Sequence, residues 1–238
     1  MNTVLPRVRR TTGHTMSRAV LALALVASAG CSTDKILKVD RPDIIDPGGL
    51  SNATGVTALY AGVIGDFSFL NAGTLGIISA TGLLTDEFRF GATPPEVRQM
   101  DQRAAPESNT LVAQFYLQTQ MLRGQADRAS AALKAVSATD PRVGEMEAMS
   151  GYAHIMLGEM FCSGVPLGTP GVDGTPQTTT AVLQAGVTKL TAAVTSAGSD
   201  DRAKNFASVL RGRGLLDLGL TDQAAAAVAS VPTSFSYT

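Results

Sequence analysis

Small residues recur in this sequence at spacings that suit paired helices and little else. Gly124 is followed by Ala129 five residues on, Leu133 nine on and Pro141 seventeen on. Near the C-terminus Gly219 is followed by Ala224 at five and Val228 at nine, with Gly212 seven before Gly219. Helices approach closely only where the side chains between them are short, and a glycine just past a helix end lets the chain turn back. The spacing predicts helical hairpins turning at Gly124 and Gly219. Pro232 comes earlier than the second copy of the pattern asks.

The pattern resembles the tetratricopeptide (TPR) repeat, and the rest of the chain agrees with an all-α fold. Val56, Leu59, Tyr60, Val63, Ile64 and Phe67 recur at helical spacing, behind Ser51 and Asn52 as candidate N-caps. A second apolar segment runs over residues 75–84 and ends at Thr85-Asp86-Glu87-Phe88. Residues 89–107 hold three prolines and mixed charges, which predicts a long surface connection. Helices are predicted over 108–136 (with a break near Gly124), 143–161, about 180–196, 203–218 and 221–230. Between them, residues 163–178 are rich in Gly, Pro and Thr and contain two Gly-Thr-Pro triplets, which predicts a loop.

The N-terminus reads as a targeting segment. Residues 1–18 carry four arginines and no acid, Ala19 to Ala27 are apolar, and Ser28-Ala29-Gly30 precede Cys31. A basic stretch, a short apolar run and small residues before a cleavage point make a secretory signal peptide. The apolar run is shorter than the roughly 20 residues a permanent span needs. Small residues followed at once by Cys resemble the lipobox of bacterial lipoproteins, with Ser28 standing where that motif has a bulky aliphatic residue. The resemblance makes Cys31 the lipidated first residue of the mature chain. The same residues also fit an ordinary signal peptide with an incidental cysteine. Met16 is an alternative start. The resulting division is a signal peptide over 1–30, an extended tether over 31–50 and a helical domain over 51–238. No other segment reads as long and apolar enough to anchor the chain.

Four of the nineteen basic residues precede Cys31 and none of the twenty acidic ones does, so the part after residue 30 carries a net charge of −5. Nucleic-acid binding needs a basic face, which this balance does not offer. Chemistry-bearing constellations are scarce. Asp86 and Glu87 are adjacent, so they point apart on a helix and read as a solvated helix end. His154 is the one histidine after Cys31, which is too few for a zinc site and suits a core or interface role. Glu145, Glu147 and Glu159 read as a solvated helix face, and Met146, Met149, Met156 and Met160 as core. Cys162 reads as a buried, unreactive thiol. No nucleophile elbow, phosphate loop or dinucleotide fingerprint occurs. The expectation is a binding protein and not an enzyme, with no cofactor and no metal.

Four segments then resemble one family: Cys31 leading into Val39-Asp40-Arg41-Pro42-Asp43-Ile44-Ile45-Asp46-Pro47, Ala58-Leu59-Tyr60-Ala61-Gly62, Gly82-Leu83-Leu84-Thr85-Asp86-Glu87-Phe88, and the stretch from Gly151-Tyr152-Ala153-His154 through Phe161 to Gly164-Val165-Pro166-Leu167. Together they resemble the SusD/RagB family of outer-membrane nutrient-binding lipoproteins. The resemblance implies a SusD-like, TPR-like helical domain, lipid-anchored on the outer membrane and exposed at the cell surface. It implies capture of a glycan or peptide for a SusC-like, TonB-dependent outer-membrane transporter, with the helices facing that partner. Full-length members are longer, so the resemblance also implies that the chain is incomplete at its C-terminus and that much of the ligand site lies elsewhere. No ligand-binding residue is assigned. A TPR-like lipoprotein scaffold for an envelope assembly is the alternative.

Overall fold

Asn52 opens the first helix, its side-chain oxygen accepting from the Gly55 N–H, one of the donors every helix start leaves unsatisfied. The computed structural model describes residues 52–72, 76–169 and 172–238. Within them run α1 (Ala53–Asn71), α2 (Ile77–Leu84), α3 (Pro95–Asp101), α4 (Thr110–Val136), α5 (Arg142–Met160), α6 (Thr179–Ser196), α7 (Asp201–Asp217) and α8 (Thr221–Val228). Two short strands, β1 (Val165–Pro166) and β2 (Pro176–Gln177), pair antiparallel between α5 and α6. The described part is mostly helical, as the periodicity predicts. Asn109, Thr178 and Asp200 cap α4, α6 and α7 in the same way as Asn52 caps α1. The signal peptide expected over 1–30, the tether over 31–50 and Cys31 itself lie outside the described residues.

Helix α5 is the axis of the packing. Every residue from Val143 to Gly158 is buried, so neighbouring helices cover it all round. The closest contact is with α6. Cβ atoms built on Gly151 and Gly158 would lie 2.5 Å from the Leu190 Cγ and 2.6 Å from the Leu183 Cδ2, and one on Gly144 would collide with the Ala197 backbone. Gly144, Gly151 and Gly158 step by seven residues up α5 while Ala197, at the C-cap of α6, and Leu190 and Leu183 within it step by seven the other way. Two antiparallel helices thus mesh through three absent side chains. On the other flank α4 contributes Leu122, Ala126, Ala129 and Leu133, each with no exposed surface. The turn between α7 and α8 is made by Gly219 at φ +75°, a left-handed conformation that costs glycine little. Gly212 lies against Val228, since a Cβ there would come within 2.7 Å of the Val228 Cγ1.

The structure corrects several expectations. Gly124 makes no break, because α4 is continuous for 27 residues. The stretch 89–107 is not wholly irregular: Pro95 opens the short helix α3, whose Val97 and Met100 are buried. Glu145 and Glu147 are not on a solvated face, since α5 has none over that stretch, and their exposures are 1% and 7%. Cys162 is exposed, because α5 ends at Met160 and the chain leaves the core immediately after Phe161. Among the described residues one segment, Ala53–Asn71, is long and apolar enough to cross a membrane, at a hydropathy of 1.3. It packs Val56, Val63 and Leu70, a stripe of period seven, into the core.

The glycine ladder makes a direct prediction. Gly151→Ala inserts a methyl group where Leu190 already sits, so it should lower stability by about 1–3 kcal/mol in urea denaturation. Adding Leu190→Ala should return part of the loss. Unchanged stability of the single variant would contradict the packing described here.

Candidate functional site

The middle of α4 and the 163–178 hairpin enclose a groove of about 510 Å³. That volume lies within the range of small-ligand sites, roughly 300–1,000 Å³. The described parts of the hairpin come together at two glycines. Gly168 and Gly174 meet backbone to backbone, and a Cβ on either would strike the other's main chain. β1 and β2 join its base, pairing Val165 with Gln177 and Pro166 with Pro176. Thr169 and Val172 form a bridge nearer its tip.

Two α4 side chains fasten the hairpin to the helix. Gln120 Nε2 donates to the Pro166 carbonyl at 2.9 Å, and Arg123 Nη2 donates to the Gly168 carbonyl at 2.7 Å. Arg123 Nε also donates to Gln120 Oε1 at 2.9 Å, so the two side chains brace each other. Burial pushes the Arg123 guanidinium below its ordinary pKa, with Asp127 opposing the shift. Among the described residues, neither Arg123 nor the exposed Arg128 on the same groove has an ion-pair partner. Met121 and Val172, exposed by 49% and 65%, give the groove apolar surface.

Gly124 lies between these groups, and nothing approaches within 4 Å of a Cβ placed on it. Unlike the α5 glycines it is not required by packing. A glycine inside a helix costs roughly 0.8–1.0 kcal/mol relative to alanine, and here that cost leaves the groove floor open. The small residue picked out by spacing is therefore real, but it opens a groove and does not turn the chain.

A second cluster is buried and structural. The Glu145 carboxylate accepts from Tyr60 Oη, Tyr237 Oη and Arg202 Nη2, each at 2.5 Å. Tyr237 stacks on Phe206 at 3.9 Å between ring centroids and meets Phe67 edge to face at 5.8 Å. The cluster joins α1, α5, α7 and the C-terminal segment through one carboxylate. Burial, then the bond to Glu145, raises the Tyr60 hydroxyl to about 12, and the same causes push Tyr237 further up. All three donors therefore stay protonated at neutral pH. Sequence reasoning missed this cluster because 92 residues separate Glu145 from Tyr237 and no local pattern links them.

The remaining candidates fall apart from one another. Asp86 is exposed beyond α2 with φ at +63° and pairs with Arg103 at 2.7 Å. Glu159 is bound bidentately by Arg213, both contacts at 2.5 Å. Met146, Met149 and Met156 lie in the core, in keeping with their apolar spacing, and Met160 packs against it. His154 is buried, and its Nδ1 donates to the Ser150 carbonyl at 2.7 Å, which fixes the neutral tautomer. Burial lowers its pKa to about 4, with Arg123 and Lys189 adding to the effect and Asp127 and the Ser150 bond opposing it. Among the described residues no group of three His, Cys, Asp or Glu side chains could hold a metal ion. Comparison with protein-family models, with curated proteins and with solved structures finds no match.

Two predictions follow from these geometries. Gly124→Ala should raise stability by about 0.5–1 kcal/mol, the opposite sign to Gly151→Ala, and a loss in urea denaturation would contradict an open groove floor. For His154 the folded pKa lies below the ordinary 6.5, so the unfolded chain takes up the proton first. Its contribution is then fully present above pH 6.5 and declines as pH falls toward 4, by up to about 3 kcal/mol. His154→Leu should remove this component, visible as a shallower loss of stability between pH 6.5 and 4 than in the wild type. Parallel curves would contradict a buried neutral ring.

Proposed function

We propose that the chain is an exported lipoprotein of the SusD/RagB kind, anchored through Cys31 on the outer membrane, where it captures a nutrient for a TonB-dependent transporter. One observation carries the reading. The longest segment resembling the family, Gly151 to Leu167, coincides with the structural pivot. Its first part lies in α5, the axis of the packing, and its last part enters β1, at the base of the hairpin that forms one wall of the groove. A TPR-like array accommodates α4 to α8 as successive antiparallel helices, and the turn at Gly219 supports that register. The role proposed is binding. His154 is buried and committed to Ser150, while Asp86 and Glu145 are each held by arginine, so none of them is poised for proton transfer.

Val209, Leu216, Leu220 and Val228 leave apolar surface exposed on and beside the last two helices, which suits a protein neighbour. A transporter barrel fits the first reading, and an envelope scaffold would use the same surface. Co-purification from membranes distinguishes them by whether an outer-membrane barrel accompanies the chain.

Lipidation provides the sharpest test. Mass spectrometry of the N-terminal peptide from membrane-extracted protein should show a diacylglyceryl group on Cys31, and Cys31→Ser should release the chain from membranes. An unmodified Cys31, or cleavage at another bond, would overturn the proposal. Retention of Cys31→Ser in the membrane would show that something other than lipid on Cys31 holds the chain there.

A further inference from the structure

We propose that the groove between α4 and the 163–178 hairpin binds a short peptide bearing a carboxylate. This rests on the capture reading above and names what is captured. Arg123, Arg128 and Asp173 are the charged residues lining the groove, leaving one positive charge in excess. Among the described residues both arginines lack an ion-pair partner, as do Arg89, Arg98 and Arg211 outside the groove, and Asp127 acts on Arg123 without pairing with it. Arg123 spends Nε and Nη2 on Gln120 and Gly168, and a guanidinium has five N–H donors. A half-buried cation with donors to spare calls for an anion, and the planar fork suits a carboxylate.

The rest of the lining favours a peptide over a sugar. Saccharide sites offer a free aromatic face, and here the candidate ring is engaged: Tyr116 meets Phe161 edge to face at 5.1 Å, and its hydroxyl accepts from Gln120. Trp is absent from the chain. Apolar side chains instead find Met121 and Val172, and Leu117, one turn from Met121, is exposed by 66%. The Gln125 amide lines the same groove and supplies both a donor and an acceptor for a peptide unit. Asp173 supplies a counter-charge for an ammonium group. Gly124 keeps the floor clear for backbone to approach.

The test is isothermal titration of the purified chain with a glutamate-leucine-glutamate tripeptide, its glutamine-leucine-glutamine amide and digalacturonate. The acidic tripeptide should bind, and more weakly as salt rises. The amide, which keeps the ammonium group but has no carboxylate, should bind at least tenfold more weakly, and digalacturonate should give no heat. Arg128→Gln should weaken the acidic tripeptide at least tenfold with the melting temperature unchanged. Gly124→Leu should abolish binding without lowering the melting temperature. No binding by the acidic tripeptide, equal binding by the amide, preference for digalacturonate, or indifference to Arg128→Gln would overturn the assignment. A chain that fails these titrations yet carries lipid at Cys31 and co-purifies with a barrel loses only the peptide assignment. A chain that passes them without lipid or barrel keeps the groove and loses the outer-membrane reading.

Discussion

The fold depends on what is missing from α5. Gly144, Gly151 and Gly158 have no side chains, and Leu190 and Leu183 of α6, with the Ala197 backbone at its C-cap, occupy the space. Because helices are rigid at this scale and interiors are close-packed, such a contact tolerates little displacement along or across the axis. It sets how near α6 lies to α5. That in turn sets where the 163–178 hairpin, strung between their ends, must pass. The base of the hairpin packs Val165 against Leu157 of α5 and Val182 of α6, and its outer part reaches α4, where Gln120 and Arg123 bind it. The groove follows from the ladder through this chain of constraints.

Burying α5 on every side has a second consequence. Its polar residues cannot reach water and must be satisfied internally. Glu145 does so through two tyrosines and an arginine from three other parts of the chain, and His154 through the carbonyl one turn back, while Glu147 is only half satisfied, its Oε1 paired with Lys134 at 2.5 Å and its Oε2, like the Ser150 hydroxyl, without a protein partner among the described residues. Removing one partner from such a group leaves an uncompensated charge, which costs far more than the pair contributes in place. The Glu145 cluster also ties the C-terminal segment to the body, since Tyr237 is both its hydrogen-bond donor and part of the aromatic stack with Phe206 and Phe67.

Helical content was legible in the apolar periodicity, and the hairpin turn at Gly219 in the spacing of small residues. The same spacing misled at Gly124. The buried residues of α4 explain why: Phe115, Thr119, Leu122, Ala126, Ala129 and Leu133 advance by three or four without a break in phase. A turn would interrupt that stripe, as the buried set is interrupted between Leu215 and Ala224. The phase of the stripe, and not the glycine, decides between turn and helix. Groove and charge cluster were hidden for different reasons. The groove needs the hairpin's return onto α4, with 45 residues between Arg123 and Gly168. The acids of α5 look solvated in sequence because one helix alone does not show how many neighbours it will have.

The α5–α6 contact is close-packed at three glycines, whereas the outer part of the hairpin is tied to α4 by the hydrogen bonds of Gln120 and Arg123, so the two should differ in local stability. The account stands or falls on that difference in local stability, which hydrogen exchange of the intact chain measures directly. The amides of α5 and of α6 opposite the glycine ladder should exchange only through global unfolding, and those of the 163–178 hairpin orders of magnitude faster through local opening. Exchange in α5 as fast as in the hairpin would show that the ladder is not what holds the structure together.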